Sequence, residues 1–185
     1  MTKILIIGVG GAGTNISQFL IEHLSDSAEL LLINSDMKSL NKHSTTDSVF
    51  LDLTLSLAPT LPQKFADAVQ RMKNEIFTYV QGKTHIVVVT GLGGDTGTYS
   101  IPAIAHLMSD YPEKMTVFTV LPFRFEESRR RLAEQELATL KSTFGNQIIE
   151  FDNDSVMDKG LSLTEAFHKA NVSVLNNIRQ QKAVF

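Results

Sequence analysis

Two glycine-rich stretches carry the residues best suited to chemistry: GVGGAGTN at residues 8–15 and TGLGGDTGT at residues 90–98. Glycine lets a backbone approach an anion closely, and the free N–H groups at a helix start add donors and the positive end of a dipole. The first stretch, with Gly10, Gly11 and Gly13, follows an apolar run and opens a helical one. Taken alone it suits NAD or FAD as well as a nucleoside triphosphate, because Asp36, about 20 residues further on, stands where dinucleotide sites grip a ribose hydroxyl. The second stretch shifts that balance. A dinucleotide needs only the first turn, whereas two such turns, the second carrying Gly93, Gly94 and the hydroxyls of Thr96 and Thr98, can wrap a polyphosphate from both sides.

The elements that must position these turns follow from apolar spacing. Strand-like runs ILIIGV, ELLLIN, SVFLDL, HIVVVTGL, MTVFTVLP and QIIEF alternate with helical stretches near residues 14–24, 62–80, 97–110, 126–143 and 162–182. Runs such as IVVVT are apolar at nearly every position, as in strands covered on both sheet faces. The expectation is a doubly wound, mainly parallel α/β sheet of about six strands with helices on both faces, ligands binding beyond the carboxyl ends of the strands. The segment 54–62, TLSLAPTLP, reads as an irregular and mobile loop leading into a helix, with Thr60 as cap and Pro62 in the first turn.

Length and composition bound the answer. The chain has 185 residues, 43% of them hydrophobic, enough for one compact domain over 1–185. A formal charge of −3 leaves no positive excess to hold nucleic acid or an anionic membrane. Cysteine is absent, which removes disulfides and thiolate metal sites and fits the reducing cytoplasm. The amino terminus lacks the h-region of a signal peptide, and no segment approaches the roughly 20 apolar residues of a membrane span. Other patterns fail when weighed. Arg129, Arg130 and Arg131 with Glu126, Glu127, Glu134 and Glu136 read as a solvated, ion-paired helix face. DNDSVMDKG begins like a calcium loop, but Met157 stands at the tight-turn glycine and Leu163 at the bidentate acid. No HExxH or GxSxG occurs.

In order along the chain, six stretches resemble the nucleotide-binding half of the FtsZ/tubulin superfamily. GVGGAGTN resembles the first FtsZ phosphate loop, INSDMKSL its NTD-containing segment and TGLGGDTGT the GGGTGTG signature; VLPFRFEESRRR resembles PFxFEGxxR, FDND the PND turn, and LTEAFHKAN the start of the helix that reads guanine. The resemblance implies a GTPase-type domain holding GTP or GDP, with Mg²⁺ as a companion ion, in a nucleotide-dependent switch or cytoskeletal assembly protein. Its partners would be further copies of itself or a second FtsZ-like protein. It implies that Gly11, Ala12, Gly13 and Asn15 cradle phosphate and sugar with Asp95, Thr96 and Gly97 opposite, and that Glu126 and Arg130 meet the ribose. Asn153 would bond the base edge, Phe167 would stack on the purine, and Asn171 would contact the Watson–Crick edge. The residue types suit those roles: an amide both donates and accepts, a ring offers a π-face, and positions 167 and 171 share one helix face.

The chain also departs from the family. Asp95 replaces a phosphate-loop glycine, so a carboxylate stands beside an anion. The 54–62 loop lacks the glycines that approach the terminal phosphate in FtsZ. Asn171 stands where FtsZ commonly has Asp and tubulins have Asn. No Asp follows Asp158, and the chain stops at Phe185, at the end of the helix that precedes the family's catalytic loop. The expectation is therefore weak hydrolysis or none by this chain alone, with Val184 and Phe185 marking a partner surface. An NAD-dependent oxidoreductase and a scaffold without nucleotide are the alternative readings.

Overall fold

The computed structural model describes residues 3–24, 28–110, 114–157 and 160–182. The expected partner surface at Val184 and Phe185 lies outside the described residues, as does Asp158. In chain order the elements are β1 (Ile4–Val9), α1 (Gly10–His23), β2 (Ala28–Asn34), α2 (Met37–Asn41), β3 (Asp47–Phe50), α3 (Leu61–Arg71), α4 (Lys73–Val80), β4 (His85–Gly91), α5 (Asp95–Leu107), β5 (Met115–Leu121), α6 (Glu127–Phe144), β6 (Ile148–Asp152) and α7 (Leu163–Lys182). The strands form one sheet of order β3-β2-β1-β4-β5-β6, and every neighbouring pair is parallel. This is the doubly wound α/β architecture that the buried strand runs predict.

Alternation along the strands decides which helix covers which face. In β1, Leu5, Ile7 and Val9 point into a core closed by Phe65 of α3, Ile101 and Ile104 of α5 and Leu137 and Leu140 of α6. Ile4 and Ile6 point the other way, onto Ile16 and Leu20 of α1 and Val174, Leu175 and Ile178 of α7. Because both faces are covered, all six residues of β1 are buried, and an alternating polar residue there would be left without water or partner.

The sequence order reverses between β1 and β4, which are adjacent in the sheet although α1, β2, α2, β3, α3 and α4 separate them in the chain. Neighbouring connections leave in opposite directions at such a point, so a crevice opens beyond the strands' carboxyl ends. Both glycine-rich turns sit there.

Local differences from the periodicity reading have simple causes. The helical run expected at 62–80 breaks at Met72 into α3 and α4. The strand expected through Leu53 ends at Phe50; Asp52 instead caps a 3-10 turn over Leu53–Leu55, accepting from the Thr54 amide at 2.9 Å and hydroxyl at 2.6 Å. The α2 helix has a single buried residue, Leu40, too little to show a period. Thr60 does occupy the N-cap position with Pro62 in the first turn of α3, but its hydroxyl donates to Gln63 Oε1 at 2.8 Å and accepts no backbone N–H. The preceding loop is tied down by Ser56 Oγ, which donates to Asp67, and by Arg71, which donates to the Asp52 carbonyl, both at 2.5 Å.

Candidate functional site

The site is built where the first turns of α1 and α5 meet. Gly10 adopts a φ of +70°, and a Cβ there would lie 3.0 Å from the Gly97 backbone N. A Cβ on Gly97 would come within 2.3 Å of the Gly91 carbonyl oxygen. A side chain at Gly10 would push the two helix starts apart and one at Gly97 would push α5 off the end of β4, so both glycines are needed for packing. The first four N–H groups of an α-helix have no intrahelical partner. Gly10, Gly11 and Ala12 in α1, and Asp95, Thr96 and Gly97 in α5, where the Thr98 N–H already donates to the Gly94 carbonyl at 2.9 Å, thus present two sets of donors and two positive dipole ends beyond the carboxyl ends of the strands.

From that crevice a cavity of about 360 Å³ extends along the strand ends. Ala12, Asn15 and Ile16 of α1 form one wall, and Gly91, Leu92, Val120 and Pro122, which end β4 and β5, form its floor. Glu126 and Arg129 stand on the α6 side, and Asn153, Phe167, Ala170 and Asn171 close the far part. Six residues singled out in the sequence, Ala12, Asn15, Glu126, Asn153, Phe167 and Asn171, are therefore brought to one cavity. Asn153 begins the turn after β6, is 5% exposed, and its buried Oδ1 has no hydrogen-bond partner among the described residues. A buried acceptor left unpaired costs about 1–3 kcal/mol, so this atom is suited to a ligand N–H. Phe167 is 48% exposed although large and apolar, and its ring meets Phe123 edge-on at 5.4 Å, which fixes its orientation.

Several singled-out side chains do other work. The Thr98 hydroxyl accepts from the Gly93 amide at 2.8 Å, closing the second glycine turn. That of Thr96 lies 2.6 Å from Ser35 Oγ and 3.3 Å from Asn34 Oδ1, tying α5 to the end of β2. The Asp36 carboxylate caps α2 by accepting from Lys38 N at 2.9 Å. Asp95, exposed, opens α5, where a negative charge complements the helix dipole; neither it nor Gly93 or Gly94 lines the cavity.

Arg130 requires correction on two counts. It does not line the cavity, and it is not part of a solvated face, being 9% exposed. Its Nη1 and Nη2 grip the two oxygens of Asp152 at 2.7 Å each, Nη1 also donates to the Pro122 carbonyl at 2.8 Å, and Nε donates to Glu134 at 2.7 Å. The guanidinium holds the Asp152 carboxyl below the usual carboxylate range. Asp152 precedes Asn153, so Arg130 fixes the strand end that presents the buried amide. The neighbour Arg129 faces the cavity instead, donating to the Gly93 carbonyl at 3.3 Å and to Glu126. Three consecutive arginines hid this division of labour; only the 3.6-residue phase, which buries Arg130 with Ala133 and Leu137, distinguishes them.

Chemically, the cavity runs from the first turn of α1 at Ala12 to an exposed ring and two amides at the far end, and among the described residues only Glu126 and Arg129 are charged lining. Such a site suits a ligand with an anionic end and a flat, hydrogen-bonding end. Among the described residues no cluster of three or more His, Asp or Glu side chains is placed to hold a metal ion.

Residues 3–160 match the model of the Tubulin/FtsZ family, GTPase domain. The chain belongs to this family. It is 28% identical over 178 residues to the cell division protein FtsZ of Buchnera aphidicola subsp. Baizongia pistaciae, a match covering 91% of this chain and 45% of that protein. With cell division protein FtsZ 2 of Methanocaldococcus jannaschii it shares 26% identity over 182 residues, 96% of this chain and 48% of the other. A solved FtsZ dimer of M. jannaschii, described as empty, superposes with a TM-score of 0.79 at 25% identity, covering 96% of this chain and 53% of that one. The chain thus spans about half the length of the relatives it matches. Among the described residues no helix is long and apolar enough to cross a membrane.

Proposed function

We propose that the chain binds a guanine nucleotide, GTP or GDP, in this cavity, with the phosphates at the first turns of α1 and α5 and the base against Phe167. What supports this above all is the convergence of Asn153, with its unpartnered buried Oδ1, the half-exposed Phe167 ring and Asn171 at the end of a cavity that also reaches α1. Asn153 Oδ1 would accept an N–H of the base edge and Asn171, one turn beyond Phe167 on α7, would address the Watson–Crick edge. Adenine presents a different donor and acceptor order on that edge, and a site built to pair polar groups discriminates strongly against a ligand that leaves them unpaired. The family to which the chain belongs supports the same reading. Asp36, occupied in capping α2, does not favour the dinucleotide alternative.

The relatives support a role in nucleotide-dependent assembly in the cytoplasm, with further copies or a second FtsZ-like protein as partner. Mg²⁺ would arrive with the phosphates, since a phosphate-bound ion needs only one or two protein carboxylates; Asp95, in the first turn of α5, is the carboxylate nearest in sequence to the second glycine turn. Identifying the nucleotide released from denatured protein, followed by calorimetric titration with GDP, ADP and NAD, tests the reading. Guanine nucleotide is expected to be released and GDP to bind at least about tenfold more tightly than ADP, a difference of about 1.4 kcal/mol. Equal affinity for GDP and ADP, or tight binding of NAD alone, overturns it.

A further inference from the structure

We propose that Arg129 reads the charge of the ligand, contacting the phosphate chain and exchanging its bond to Glu126 for that contact on binding; this deepens the guanine-nucleotide reading and rests on it. Among the described residues lining the cavity only Glu126 and Arg129 are charged, so these residues give the wall no net charge. The dipole ends of α1 and α5 each offer about half a positive charge, and Asp95 offsets part of that at α5. A nucleoside diphosphate brings several negative charges, and among the described residues Arg129 supplies the one full positive charge on the lining.

Its placement fits the task. The guanidinium lies beside the turn that leads into α5: Nε donates to the Gly93 carbonyl at 3.3 Å, and Nη2 lies 3.7 Å from the point a Cβ on Gly94 would occupy. The side chain is 55% exposed and held by Glu126, an ion pair three residues back on the chain. An exposed pair of this kind contributes little and is readily exchanged, whereas a guanidinium fork meets phosphate oxygens with two parallel bonds. The neighbouring Arg130 is not available for this, being committed to Asp152, Glu134 and the Pro122 carbonyl. Glu126 thus acts as a stand-in anion that holds Arg129 in position until a phosphate replaces it.

The test compares GDP with guanosine in calorimetric titrations of the wild type, Arg129→Ala, Arg129→Lys and Glu126→Gln, each checked by thermal melting for an intact fold. Arg129→Ala is expected to weaken GDP about 10- to 100-fold, the size of a lost charge-assisted contact, while leaving guanosine within about twofold. Arg129→Lys should recover part of the GDP affinity through its charge, and Glu126→Gln should tighten GDP by removing the competing anion. Equal losses for guanosine and GDP in Arg129→Ala would reduce Arg129 to a staple on the Gly93 turn and overturn the proposal, as would unchanged GDP affinity. If the wild type binds neither ligand, the guanine-nucleotide reading falls and takes this proposal with it; failure in the variants alone leaves that reading standing.

Discussion

Replacing Asp152 by Asn probes how the fold holds the end of the cavity lined by Asn153 and Phe167. The amide keeps the shape, and its oxygen can still accept from the Asp154 amide as the carboxylate does at 3.0 Å. It cannot receive both guanidinium N–H groups, because its nitrogen is itself a donor facing Arg130 Nη1 or Nη2. Arg130 would keep the Pro122 carbonyl and Glu134, so the loss is smaller than for an orphaned buried charge. One charge-assisted bond contributes about 1.5–3 kcal/mol, and breaking a buried pair outright costs about 3–5 kcal/mol. With the Asp152 side chain 25% exposed and the Arg130 side chain 11%, a loss of about 2 kcal/mol is expected near neutral pH, within the range for one charge-assisted bond and below that for a buried pair broken outright. The pH dependence has a definite sign. Arg130 lowers the Asp152 pKa in the folded state, so the stabilisation is fully present above the unfolded-state value of about 3.9 and is lost as pH falls through the lower folded value. Urea denaturation from neutral pH down to about pH 3 should therefore show the wild type losing its advantage over Asp152→Asn in acid. A difference below about 0.5 kcal/mol at pH 7, within the range of an ordinary surface substitution, or a gap that stays constant into acid, would refute the assignment.

Phe167→Ala should weaken GDP binding by about 1–3 kcal/mol if the ring stacks on the base, while melting shifts little because the ring is half exposed; unchanged affinity in a folded variant counts against the pose. Asp95→Gly should tighten GTP binding in EDTA by removing a charge from the first turn of α5; weaker binding in Mg²⁺ would identify the carboxylate as an ion ligand, and no effect in either medium would show that residue 95 does not meet the phosphates. The chain alone should hydrolyse GTP slowly, since among the described residues Glu126 is the one acid on the cavity lining and, even after a phosphate has replaced it at Arg129, it still accepts from the Phe123 amide, while Glu165 is spent on the Ser162 cap of α7. Phosphate release that climbs in specific activity with protein concentration would show that copies of this chain complete a shared catalytic site.

What was legible in the sequence, and what was not, divides along physical lines. A strand buried on both faces must be apolar throughout, so β1, β4 and β5 announced themselves, and with them the parallel sheet. Glycine turns after β1 and β4 were equally plain, because close helix approach tolerates no Cβ at Gly10 and the packing of α5 on the end of β4 tolerates none at Gly97. Phe167 and Asn171 were legible as a pair because four residues on a helix return to one face. Hydroxyls and arginines resisted, since their type does not state their partner. Thr96 and Thr98 can bond a phosphate or a neighbouring backbone, and here Thr98 closes the Gly93 turn while Thr96 reaches β2. Arg129 and Arg130 differ by one position, about 100° around α6, and that rotation alone sends one guanidinium to the cavity and the other beneath the Asp152 strand end. Helix phase anchored on Ala133 and Leu137 selects Arg130 as the inward residue, so a charged run is better judged against the apolar stripe of its helix than as a surface feature. The same phase explains how one short segment does two jobs. Arg130 fixes where Asn153 presents its buried oxygen, Arg129 and Glu126 set the charge of the cavity wall, and neither arginine can take over the other's role without unwinding the first turns of α6.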